Sequence, residues 1–150
     1  MGPLSSYIHE IVVSTGYSYQ VKPSVAGSEL GSVFIIKGIS SGVVSQIIAN
    51  DEYNYLLLAS YSKYEFELSE KFMLGMNCLN MNHPTGIKFY FNQNDSCISS
   101  VMQVLLSGSF PNAKLVNDAL YHTINSLRDA LERLNALKAG TWIPKCEFNG

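Results

Sequence analysis

Apolar and polar positions change period several times along the chain, and each change marks an element. Ser5 or Ser6 can cap a short helix reaching about Ser14, with Ile8, Ile11 and Val12 on one side. Gly16 stops it. Tyr17, Tyr19 and Val21 then alternate with Ser18, Gln20 and Lys22, a strand that ends before Pro23. Residues 23–31, rich in Pro, Gly and Ser, read as a loop. A meander follows, with strands over 33–37, 43–49 and 55–61 separated by turns at 38–42 and 50–54.

Ser69 can cap a second helix reaching about Asn82, with Phe72, Met76 and Leu79 at i, i+4 and i+7; Pro84 and Gly86 end it. The clearest strand comes next. Ile87, Phe89 and Phe91 face one way while Lys88, Tyr90 and Asn92 face the other, and the polar turn 93–96 leads back through 98–106. The longest element is a helix over about 112–139, stopped by Gly140, with Leu120, Ile124, Leu127, Leu131 and Leu134 spaced 4, 3, 4, 3. That seam covers about two heptads, too few for a coiled coil, so the stripe is expected to pack on a sheet. Strands grouped in meanders predict an antiparallel α+β layer in one domain, in the order α-βββ-α-ββ-α with about five strands.

Composition narrows the function classes. Charged residues make up 15% of the 150-residue chain, below the ~25% typical of soluble domains, so apolar patches are expected on the surface. Net charge is −2 and only Arg128 and Arg133 are arginines, which leaves no basic face for nucleic acid. Residues 1–4 lack the features of a signal peptide, and no apolar run approaches the ~18–20 residues of a membrane span. Cys78, Cys97 and Cys146 form no CxxC pair, which predicts reduced thiols in a cytoplasm, without disulfides or zinc.

Catalytic chemistry has few candidates. His122 lies one helical turn after Asp118, spacing that could serve a base and its orienter but far more often marks a solvated helix pair. His83 follows Cys78 closely but sits at a helix exit. Neither histidine has a nucleophile turn beside it, and no phosphate-binding glycine loop or calcium loop occurs. Glu65, Glu67 and Glu70 suit the positive end of a helix without a metal. No catalytic residue, metal ligand or cofactor site is therefore assigned.

The stretch Met76-Asn77-Cys78-Leu79-Asn80, followed by Pro84-Thr85-Gly86-Ile87-Lys88-Phe89-Tyr90-Phe91 and by the run from Leu106 into a long final helix, resembles the YbjN family. The order of elements is also similar to that of the type III secretion chaperones. Asn77, Asn80 and Gly86 carry the motif. Asn77 and Asn80 share one helix face, where near a C-terminus they can satisfy free carbonyls or adopt left-handed geometry, so the motif reads as structural. The resemblance implies a non-enzymatic, often dimeric domain that holds a partner polypeptide or acts as a regulator. The alternatives are a secretion chaperone for an effector, an immunity-type inhibitor of a toxin, and a small enzyme using His122 and Asp118. The expectation is a cytoplasmic homodimer with a protein partner and no nucleic acid, membrane or cofactor.

Overall fold

A computed structural model describes residues 1–24, 30–82 and 86–145; the body of the 23–31 loop, His83, Pro84, Thr85 and Cys146 lie outside them. The elements run α1 (Pro3–Ser14), β1 (Ser18–Pro23), β2 (Gly31–Ser40), β3 (Val43–Asn50), β4 (Tyr55–Lys63), α2 (Glu70–Asn82), β5 (Lys88–Asn92), β6 (Cys97–Leu105) and α3 (Ala113–Lys138). The fold is α+β, with one antiparallel sheet of six strands in the order β1-β2-β3-β4-β6-β5. The sixth strand, one more than expected, is β1, the short alternating segment before the loop, which pairs along its whole length with β2.

Two of the helices begin as their sequences predict. The Phe72 N–H donates to Ser69 Oγ at 3.1 Å, and the Leu115 N–H donates to Asn112 Oδ1 at 2.8 Å. These side chains satisfy amides that the first helical turn cannot pair internally. The first helix differs. Ser5 and Ser6 are inside α1, and its start is Gly2 with Pro3 in the first turn. The missing cap comes from 46 residues away: Asp51, in the β3–β4 turn, accepts from the Leu4 and Ser5 amides at 2.9 and 3.1 Å and from the Ser5 hydroxyl. A carboxylate at a helix N-terminus also meets the positive end of its dipole. Gly2 leaves room for it, since a Cβ there would lie 2.3 Å from Asp51 Cγ.

Alternation decides what each strand buries. Phe34 and Ile36, Ile47 and Ala49, Leu56 and Leu58 point to one face, and all three helices share apolar clusters with that face. One cluster gathers α1, β2, β3 and the start of α3 through Ile8, Phe34, Ile47 and Leu120. The other gathers α2, β5, β6 and the rest of α3 through Phe72, Phe89, Ile98, Leu127 and Leu134. Between them runs a row of small hydroxyl residues. Ser45 and Ser60 are 2.9 Å apart, Ser60 is 2.8 Å from the Thr123 hydroxyl, and Ser100 donates to the Thr123 carbonyl at 2.6 Å. Of the predicted stripe, Leu120, Ile124, Leu127 and Leu134 are buried, and Leu131 is half-buried against the second cluster.

Leu127 is fully buried beneath α3, so Leu127→Ala is expected to cost about 2–5 kcal/mol, read as a lowered urea midpoint at unchanged slope. An unchanged midpoint would contradict this packing.

Candidate binding surface

The other face of the sheet has no cover among the described residues. Reading across the paired strands, one row is Lys22, Val33, Ile48, Leu57 and Gln103. The next is Gln20, Ile35, Gln46, Ala59, Val101 and Lys88. A third is Ser18, Lys37, Val44, Tyr61, Ser99 and Tyr90. Val33, Ile35, Val44, Ile48, Leu57 and Val101 are only half-buried. A one-sided antiparallel sheet normally alternates apolar inside with polar outside. Here β2, β3 and β4 carry Val-Phe-Ile-Ile, Val-Val-Ser-Gln-Ile-Ile and Leu-Leu-Leu-Ala, runs suited to strands covered on both faces. A shallow depression of about 490 Å³ marks one end of this face, between Gln46, Tyr61, Lys63 and Ser99.

Formal charge on the strands has one sign. The six strands contain Lys22, Lys37, Lys63 and Lys88 and no Asp or Glu. The lysines stand around the apolar rows, with Lys22 and Lys88 on the outer strands and Lys37 and Lys63 near one end. Asp95, in the turn after β5, borders the depression, and its carboxylate accepts from Asn92 at 3.1 Å. The Lys63 ammonium donates to the Asp95 carbonyl at 2.9 Å, and that of Lys88 to the Asn80 carbonyl at 3.3 Å.

The edge at β5 is closed by a side chain. The Phe89 N–H donates to Asn80 Oδ1 at 2.6 Å, and Asn80 Nδ2 donates to the Phe89 carbonyl at 3.0 Å. Both main-chain groups of Phe89 therefore point away from β6, and the Asn80 carboxamide takes the place a neighbouring strand's peptide group would occupy. This is the structural role of Asn80, different from the carbonyl capping expected at the end of its own helix. Asn77 is exposed and lines a groove of about 410 Å³ between α2 and β5, together with Met73, Met76 and Tyr90. Gly86 has φ +72°, the left-handed backbone that glycine adopts without strain, at the entry to β5.

No family model, curated protein or solved structure matches the chain.

Of the candidate catalytic residues, His83 lies outside the described residues, and Asp118 and His122 are both on α3. The Asp118 carboxylate lies 2.6 Å from the Lys114 ammonium in an exposed i,i+4 pair, one turn before His122. Among the described residues no three of His, Cys, Asp and Glu gather where a metal could sit. Among the described residues three groups have displaced titrations, and all move upward, away from neutrality. Burial raises Tyr64, a hydrogen bond to Tyr17 raises Tyr121, and the bond to Asp118 raises Lys114. One cysteine corrects the sequence reading: Cys78 is disulfide-bonded, while Cys97 is a free thiol. Spacing along the chain carried no signal for that bond.

Removing the edge cap has two readable consequences. Asn80→Ala is expected to lower stability by about 1–3 kcal/mol, because two main-chain groups lose their partner. It should also make the Phe89 amide exchange with solvent faster than its β5 neighbours. The second experiment is alkylation of the native, unreduced chain, which should label Cys97 and spare Cys78 until a reductant is added.

Proposed function

We propose that this chain is a non-enzymatic polypeptide-binding domain that holds its partner on the open face of the sheet. The observation that carries the reading is the composition of that face: half-exposed Val33, Ile35, Val44, Ile48 and Leu57 in adjacent strands. An apolar patch of this extent, rimmed by polar residues, is the usual mark of an interaction site. The chaperone-like or regulatory role implied by the YbjN-like motif agrees with it. The role of Asn80 also agrees, since an edge closed to strand addition directs a partner to the face.

The homodimer expected from the sequence is the competing occupant of the same surface. Four inner strands of eight to ten residues, flanked by outer strands of six and five, offer a face of about 700 Å². That is close to the ~800 Å² each partner gives to a standard interface. Lysines around each copy would then approach lysines of the other, which disfavours self-pairing. The cytoplasmic location expected from the sequence is tied to Cys78, because a disulfide persists in oxidising surroundings and is reduced in a glutathione-buffered cytoplasm.

The test uses position. A photocrosslinking side chain at Ile48 should capture a polypeptide in cells, whereas one at Leu115, exposed on α3, should not. Leu57→Gln should abolish capture at Ile48 while the folded chain persists. Equal capture from both positions would refute the reading. Light scattering should give a mass near 16.6 kDa for the purified chain; twice that value, lost in Leu57→Gln, would show a second copy on the face.

A further inference from the structure

We infer that the partner covering the open sheet face is an acidic amphipathic helix, laid with its apolar side on the central strands and its carboxylates toward the surrounding lysines. The inference rests on the proposed use of that face and adds the chemistry of its occupant. Three observations lead to it.

The first is charge complementarity. Every formal charge on the strands is a lysine, and the acidic residues among the described residues lie on helices, turns and connecting segments. An anionic partner meets Lys22, Lys37 and Lys63 around an apolar centre, while a cationic one meets only repulsion apart from Asp95 at the corner. The lysine stems extend the apolar area and leave their ammonium groups at the perimeter, where carboxylates can reach them.

The second is that each edge of the sheet carries a feature that hinders an added strand. At β5 the Asn80 carboxamide occupies the outward-facing groups of Phe89. At the opposite edge β1 ends in Pro23, which has no N–H to donate. A partner that binds as an extended strand needs such an edge. Docking on the face does not.

The third is the shape of the uncovered layer. A sheet face is completed by helices or by another sheet. On the covered side of this chain, single helices already do so, with α1 over β2 and β3 and α3 over β4 and β6. A helix of about 10–12 Å diameter fits across two or three strands. The half-buried rows across β2, β3 and β4 have that width, with lysines on the flanks.

The probe is a synthetic helix of about 18 residues, roughly 27 Å long, with leucines at i, i+3, i+4 and i+7 and glutamates on its flanks. A twin carrying lysines for the glutamates and a single-stranded oligothymidine complete the set. The glutamate peptide should bind roughly tenfold or more tightly than its twin at low salt, with the difference shrinking as salt rises. Lys37→Glu combined with Lys63→Glu should erase or invert the preference, and Leu57→Gln should abolish binding of the glutamate peptide. Equal affinity for the two peptides overturns the acidic partner. So does oligothymidine binding that the glutamate peptide cannot displace, which would make a nucleic acid strand the ligand. Loss of peptide binding in Leu57→Gln without any effect of the lysine changes leaves the face as the binding surface and refutes its acidic occupant. Indifference to all three substitutions refutes both.

Discussion

Where α3 crosses the sheet, Ser45, Ser60 and Ser100 stand side by side on β3, β4 and β6, all fully or nearly fully buried. Their small size lets the helix backbone come within hydrogen-bonding distance of the strands, and Ser100 reaches the Thr123 carbonyl directly. Burying hydroxyls without partners would be costly, and here each of the three bonds to a neighbour in the row or to α3. Larger side chains at these positions would lift α3 from the sheet. The row also separates two apolar clusters, so the start of α3 packs with α1 and its remainder with α2. The arrangement of the other helices follows from this crossing.

With α3 and α1 on one side, only one face of the sheet is covered among the described residues, and the composition of its strands becomes informative. Residues that would be ordinary in a two-sided sheet are left half-exposed. The lysines around them keep such a surface solvated, and the caps on the outer strands discourage edge-to-edge pairing. A domain shaped this way resists random association at its edges while keeping its face open.

The N-terminal helix is secured differently. Its cap is contributed by the β3–β4 turn, so α1 cannot settle until the meander has formed. Leu4 and Ile8 then close the cluster over β2 and β3. At the other end of the chain, the Lys138 ammonium lies over the Tyr64 and Phe66 rings and donates to the Glu65 carbonyl at 2.6 Å, tying the last turn of α3 to the segment before α2.

Local pattern alone determined much of this fold. The α+β class, the meander, the hairpin, the cap at Ser69 and the buried stripe of α3 follow from periodicity and turn chemistry, because each depends on neighbours within a few residues. The strand at Tyr17–Lys22 was visible too, but its membership of the sheet depends on pairing with β2. Tertiary structure decided the rest. Asp51 read as a turn residue and became a helix cap, and Asn80 read as a helix-end residue and became an edge cap, since both act on segments distant in sequence or across a turn. The candidate surface was legible only as composition: low charge predicted an apolar patch, but alternation and register were needed to gather Val33, Ile48 and Leu57 into a row. Side chains on different strands share a face only once the strands are paired, and that pairing is a property of the folded sheet.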